Sequence, residues 1–331
     1  MRPSTRNTLC IMGTLIGLAS LACQSTTTGK SGELKFQYDT DDSIANFNKP
    51  IAKGALLDLK VFKAGSGLIK ANVSAATPED ASVFEIDNTS GHVVTIKGVG
   101  VGESELSFQT DQGDDAIDMM VRVPEVLKAQ HHCLAPSASN GVYIQGRDVA
   151  VPFDLELLDG QQVIGYGYYP MSFDDEGITL KPGAKRADFA QFDIGPEVEG
   201  EVVMSSDVDD KTLTFEVIKE ADIDGVEAMV FAPIRVQDTD FVHLLPQFEG
   251  KHVCQAKVAM SVTPTSPDTC QVTLLPDDGI QSDLTLKYGW IEVKGIAKGD
   301  CTFDVSIPSA NGGAGLIESL TLEVQGKLVE Q

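Results

Sequence analysis

One pattern occurs three times along the chain: an alternating strand, a corner flanked by glycines, a second alternating strand, a polar turn and a third alternating strand. The first copy reads HVVTIK-GVGVG-ESELSF, QTDQGDD and AIDMMVRV, ending at Val123. The third reads GWIEVK-GIAKG-DCTFDVSI, PSANGGAG and ESLTLEV, ending at Val324. A looser second copy, FAQFDI-GPEVEG-EVVMS, SDVDDK and TLTFEV, ends at Val217. Period-two alternation puts one face of each strand in a core and the other in water, which is the habit of antiparallel sheets packed as sandwiches.

The upstream halves repeat as well. Residues 54–86, 152–180 and 241–274 each offer an apolar strand, a short turn, a second strand, a Ser/Pro/Asp stretch and a third strand. Counting the entry strand gives about seven short strands per copy, the number of an immunoglobulin-like sandwich. The expected architecture is all-β: three tandem immunoglobulin-like antiparallel sandwiches over 33–123, 124–217 and 218–325, each with its own core, and a tail at 326–331. The stretch 124–135 reads as a linker into the second module. Corner glycines Gly98 and Gly102 match Gly295 and Gly299, with Gly195 and Gly200 one residue further apart. They are expected to serve by reaching positive φ. Gly113, Asp114 and Asp115, then Asp209 and Asp210, then Asn311 to Gly313 supply hairpin turns.

The segments GVGVGESELSF (98–108) and GIAKGDCTFDV (295–305) resemble the bacterial immunoglobulin-like group 2 family, with its short strand, Gly-x-Gly-like corner and Thr/Ser/Val-rich strand. The likeness covers most of residues 33–325. It implies spacer, stalk or adhesion modules on a bacterial surface protein, although fold alone does not fix function.

The N-terminus reads as an export signal over residues 1–22. Arg2 and Arg6 supply the positive end, and the apolar run Leu9–Leu18 is too short for the roughly 20 residues that span a bilayer. The ending Ala19-Ser20-Leu21-Ala22-Cys23 resembles the lipobox of bacterial lipoproteins, which implies lipidation of Cys23 and a membrane partner reached through that lipid. Ser20-x-Ala22 also suits an ordinary signal peptidase. Gln24 in place of aspartate points to the outer membrane or cell surface, with the periplasmic face left open. Residues 23–32, CQSTTTGKSG, have no apolar periodicity and read as a lipidated cysteine followed by a flexible tether.

Setting aside Cys10 and Cys23 leaves four cysteines, an even number that suits two disulfides in an exported chain. Cys270 follows the third strand of its module and Cys301 opens the strand after the glycine corner, so both fall at one end of a sandwich. A Cys270–Cys301 bridge is the expected pairing. Cys133–Cys254 follows by elimination, yet it requires the start of module two to approach the start of module three, which an extended array does not allow. A free or intermolecular Cys133 is the competing reading.

Candidate chemistry is sparse. Lys plus Arg is 25 against 49 Asp plus Glu, and a net charge of −24 excludes a nucleic-acid footprint. No nucleophile elbow, zinc-protease pair or phosphate loop occurs, so no catalytic residue is expected and the chain reads as a non-enzyme. His131-His132-Cys133 is the one cluster of soft ligands and reads as a structural linker. Glu220-x-Asp222-x-Asp224-Gly225 spaces carboxylates like the start of a calcium loop, but Phe231 stands at the twelfth position. A calcium ion stiffening the join between modules two and three is the sharpest cofactor reading, against none at all. Tyr166 and Tyr168 share one strand face and form a candidate ligand patch for a glycan or small cationic molecule. The main expectation is therefore a non-catalytic, surface-anchored structural or adhesion protein with an envelope protein or glycan partner. The alternative is a ligand-binding lipoprotein working through module two.

Overall fold

The structure is a computed structural model that describes residues 26–39, 49–65, 67–133, 141–181, 188–276, 288–309 and 315–327. The export signal, Cys23, Asp41, Asp42 and the turn Asn311–Gly313 lie outside the described residues. Among those residues there is no α-helix, only one 3-10 turn at Glu220–Asp222, and no helix is long and apolar enough to cross a membrane. The chain is all-β, folded as three two-sheet sandwiches in tandem.

The first sandwich uses β1 (Thr26–Thr28), β2 (Leu34–Asp39), β3 (Ile51–Ala52), β4 (Leu56–Lys63), β5 (Val73–Pro78), β6 (Phe84–Ser90), β7 (Val93–Gly98), β8 (Gly102–Thr110) and β9 (Gly113–Arg122). One sheet runs β1-β2-β4-β7-β6 and the other β3-β9-β8-β5. Alternation does its expected work on β8, where Ser104, Leu106 and Phe108 point inward while Ser107 faces solvent.

The second sandwich comprises β10 (Val126–Ala129), β11 (Gly141–Ile144), β12 (Asp148–Glu156), β13 (Gln162–Val163), β14 (Met171–Phe173), β15 (Ile178–Leu180), β16 (Phe189–Ile194), β17 (Gly200–Ser206) and β18 (Thr212–Ile218). Its sheets are β10-β12-β16-β15, with β13 on β12, and β11-β18-β17-β14. The stretch 124–135 is therefore not a bare linker, because Val126–Ala129 pairs with β12 as an edge strand.

The third sandwich has β19 (Gly225–Val230), β20 (Thr239–Phe248), β21 (Lys251–His252), β22 (Ser261–Pro264), β23 (Cys270–Leu274), β24 (Trp290–Gly295), β25 (Gly299–Ile307) and β26 (Leu316–Val324). Its sheets are β19-β20-β24-β23, with β21 on β20, and β22-β25-β26. Named strands pair antiparallel throughout, except β3 on β9 and β11 on β18, which are parallel.

Two sequence expectations change here. The tether is shorter than expected, because Thr26–Thr28 forms a strand on β2 and the following turn is bound to the body. The anchor of that turn is Asp115, which the sequence places in a hairpin turn. The turn is really Asp111–Gln112, between paired Thr110 and Gly113, so Asp115 lies two residues into β9 and is buried. Its carboxylate accepts hydrogen bonds from the backbone N–H of Ser31 (2.7 Å), Glu33 (2.9 Å), Leu34 (2.9 Å) and Ala116 (2.8 Å). Burial alone raises such a carboxyl, but these donors outweigh it and hold Asp115 below the ordinary value of 3.8.

The corner glycines also serve differently. Gly200 (φ +93°) and Gly299 (φ +145°) do take left-handed backbone, but Gly98, Gly102, Gly195 and Gly295 do not. What the strand-ending glycines share is a neighbouring carbonyl. A Cβ would lie 3.0 Å from Ala52 O at Gly98, 2.9 Å from Gly177 O at Gly195 and 2.3 Å from Arg235 O at Gly295. Absence of a side chain admits another stretch of main chain at that point. Gly295→Ala is expected to destabilise the third sandwich by about 1–3 kcal/mol, the usual range for overpacking. Urea unfolding of the variant checks it.

The cores are not independent. One continuous apolar cluster spans the first and second sandwiches, from Leu34 and Ile51 through Ile164 to Phe215, and takes in Cys254 of the third. The other fills the third sandwich and includes Val142, Ile144 and Ile218 from the second.

Candidate functional site

A buried polar triplet and one of the two disulfides lie at two joints between sandwiches. Both joints are made by the segment that crosses between sheets after the β12–β13 and β20–β21 hairpins. At the first joint, Ile164 extends a sheet of the preceding module. Its N–H donates to Pro50 O (2.9 Å), and the N–H of Ala52 donates to Ile164 O (2.8 Å). Two residues on, Tyr166 and Leu56 exchange both backbone hydrogen bonds, at 2.8 and 2.9 Å. Gly165 sits between them because a Cβ there would come within 2.6 Å of Ala55 Cβ.

Behind this seam lies a buried polar triplet. Asp58 is 2% exposed, and its Oδ1 accepts from the Tyr166 hydroxyl (2.8 Å) and from Thr95 Oγ1 (2.7 Å). Burial, then the hydrogen bond to Asp58, pushes the Tyr166 hydroxyl well above its ordinary 10.0; burial does the same to Tyr38 and Tyr143. A raised tyrosine keeps its contribution below pH 10.0 and loses it as pH climbs through the folded value, so the joint weakens only in alkali. Tyr166→Phe is expected to cost about 2 kcal/mol at neutral pH, since it removes a hydrogen bond to a buried carboxylate. Its deficit against the parent should shrink above pH 10.0, where the tyrosine of the unfolded parent begins to ionise while the folded one does not. Denaturant titrations on both sides of that value test the sign.

The tyrosine patch expected as a ligand surface is thus an internal contact. Tyr166 is buried, and the Tyr168 ring lies over Gly54, 3.5 Å from where its Cβ would stand. Tyr169 turns to the second core, edge-on to Phe153 at 6.0 Å.

The second joint repeats the first and adds a covalent tie. Val253 bridges Val142 in parallel, and the N–H of Cys254 donates to Val142 O at 2.7 Å. Cys133 is disulfide-bonded to Cys254, with Cα atoms 4.8 Å apart. The sequence reading that an extended array forbids this pairing fails for a geometric reason: the crossing segment of module three reaches back onto the first strands of module two. Gln255 clasps Ala150, accepting from its N–H (2.9 Å) and donating to its carbonyl (2.7 Å). Arg147 pairs with Glu220 at 2.6 Å. The second disulfide, Cys270–Cys301, ties the two sheets of module three at a Cα separation of 5.5 Å.

The acidic trio does not converge. Glu220 is taken by Arg147, Asp222 accepts from the N–H of Lys219 (3.1 Å), and Asp224 accepts from the N–H of Glu249 (2.9 Å). Among the described residues no group of three or more His, Cys, Asp or Glu is placed to hold a metal ion. The geometry therefore corrects the calcium reading at Glu220, Asp222 and Asp224. Main-chain pairing and a disulfide join the modules at this junction instead.

The histidines gather around the tie without forming a ligand set. His132, His243 and His252 line a cavity of about 20 Å³ beside the disulfide, room for about one water. His243 Nε2 meets Tyr288 O at 2.6 Å and its ring lies against Trp290, while His252 Nε2 meets Glu227 Oε2 at 2.8 Å. Burial holds His131 and His243 below the ordinary 6.5. A roomier cavity of about 390 Å³ between β1 and β9 is lined by Thr28, Lys30, Tyr38, Lys49 and Asp118. Lys30 is committed there to Glu105 and Asp118, both at 2.7 Å.

Sequence reasoning missed Asp58 and Gln255 and put Asp115 in a turn rather than a strand. Only Asp58 carries a signal, as one acid inside the apolar run LLDLKVF of β4.

No protein-family model matches the chain, and no curated protein matches it. Solved structures similar to it include the Escherichia coli adhesin FdeC, at 14% identity over 85% of this chain and 95% of that one, with a TM-score of 0.24. Invasin, a bacterial integrin-binding protein, is 13% identical over 88% and 60%, with a TM-score of 0.25. Domains A168–A170 of titin are 11% identical over 88% and 99%, with a TM-score of 0.22.

Proposed function

We propose that this chain is a non-catalytic structural or adhesion element of a bacterial cell surface, exported and held at the outer membrane by a lipid on Cys23. The observation that carries the reading is the pair of inter-module joints. Each is built from main-chain pairing and a continuous apolar seam, and one is closed by a disulfide. Such joints resist bending, which a spacer or adhesion arm needs and an enzyme scaffold of separate mobile domains does not. Two disulfides suit an oxidising, extracytoplasmic compartment. A net charge of −24 keeps the arm soluble. The role needs no cofactor, and its partner is an envelope protein or glycan.

Metabolic labelling with palmitate and cell fractionation test the anchor. The full chain should label and sediment with outer membranes, and Cys23→Ser should appear unlabelled. An unlabelled parent chain in the soluble fraction would refute the lipid anchor.

A further inference from the structure

The three modules carry the same strand seat, and among the described residues only two of the seats are filled. Backbone hydrogen bonds fix the correspondence. The N–H groups of Lys53, Gln145 and Val236 donate to Arg122 O, Ile218 O and Gln325 O at the end of each module's last strand. The next residues, Gly54, Gly146 and Gln237, donate to Gly98 O, Gly195 O and Gly295 O, all from left-handed backbone at φ +91°, +67° and +74°. Pro50, Val142 and Pro233 are therefore equivalent, as are Ala52, Ile144 and Arg235.

In module one that edge receives Ile164, which bonds both Pro50 O and the Ala52 N–H, and in module two it receives Val253, with the Cys254 N–H donating to Val142 O. Pro50 and Val142 are accordingly buried, whereas Pro233 is exposed. Among the described residues the Arg235 N–H and the Pro233 carbonyl have no hydrogen-bond partner. Beside them lies an open groove of about 370 Å³ lined by Phe231, Pro233, Ile234, Leu322 and Gln325. Phe231 is 58% exposed on its rim, stacked at 5.6 Å on Trp290.

We propose that this edge of module three is a strand-acceptor site for a partner protein, which presents an extended, uncharged main-chain segment as residues 163–166 do at the first joint. The partner's N–H pairs with Pro233 O, its carbonyl accepts from Arg235 N–H, and its apolar side chains cover the exposed Phe231. This is recognition by strand addition, in which the main chain supplies affinity and the groove selects side chains. Module one cannot supply the segment from a second copy, because it passes between its sheets through Ala71 and Asn72 alone, where modules two and three use 164–170 and 253–260. The inference rests on the modular construction and not on the lipid anchor.

The test uses the soluble chain 24–331 and a synthetic peptide with the sequence of residues 161–170, which already fits the equivalent seat. Amide spectra at about 1 mM peptide, where a weak isolated strand still registers, should shift at Ile234–Gln237 and Gln325, and Arg235 N–H exchange should slow. Phe231→Asp should weaken binding about tenfold, and Arg235→Pro, which deletes the free donor, should abolish it. A peptide N-methylated at the residue corresponding to Ile164 should also fail to bind, and it leaves the protein untouched should the proline variant misfold. No shift at those amides, or equal binding by the N-methylated peptide, would overturn the proposal.

Discussion

A Cys133→Ser/Cys254→Ser double variant is expected to lose about 4–5 kcal/mol of chain-closure stabilisation and to unfold modules two and three in separate steps. The bridge closes a loop across 121 positions, and the entropy withheld from the unfolded chain grows with the logarithm of that length. What remains at the joint is the Val142–Val253 pairing, the Gln255 clasp, the apolar seam and two surface ion pairs, Arg147–Glu220 and Lys251–Glu216, each worth no more than about 1 kcal/mol. Scanning calorimetry of parent and variant decides the matter. One coincident transition at an unchanged midpoint would mean that the apolar seam of Val142, Ile144 and Ile218 couples the modules without the bridge.

Asp115→Ala should cost about 3 kcal/mol, more than most single changes on this surface-rich chain. The carboxylate serves four backbone donors at once, and truncation leaves the partly buried ones without an acceptor. The loss should be local. Amide exchange at Ser31, Glu33 and Leu34 should quicken together, followed by release of β1, while modules two and three stay protected. The same effect appears in acid without mutation. Because Asp115 is held below 3.8, its contribution is complete above that pH and fades as pH falls through the depressed value. Exchange at Leu34 that stays slow in the variant would show that β1 is held by strand pairing alone.

The sheets were legible in the sequence because half-buried antiparallel strands alternate, and β7–β9 and β24–β26 do so with little interruption. The Cys270–Cys301 pairing was reached for the same reason: once the strands are placed, two cysteines at one end of one sandwich have few alternatives. The joints were not legible. Ile164 and Cys254 gain their roles from a neighbouring module, and no local periodicity records that. Tyr166 and Tyr168 showed the right residue type but not the partner, since Asp58 lies 108 positions away. The threonines of β1 have strand propensity yet no apolar face, so nothing local separated them from a tether until Asp115 pinned the turn. At the corners the right residue was read for the wrong cause, because a close-passing carbonyl and a left-handed backbone both select glycine.

The direction of β1 bears on how such a molecule stands at a bilayer. Thr26 lies opposite Gln37, which is opposite Lys60 in the middle of β4, so the chain enters at the waist of the first sandwich. Cys23 is only three positions upstream, which allows roughly 11 Å of extended backbone. An acyl chain at that cysteine would draw the module's side wall down against the headgroups. The molecule would then lie alongside its membrane, like a boat moored amidships, with module three and its open edge carried laterally towards neighbours in the same leaflet.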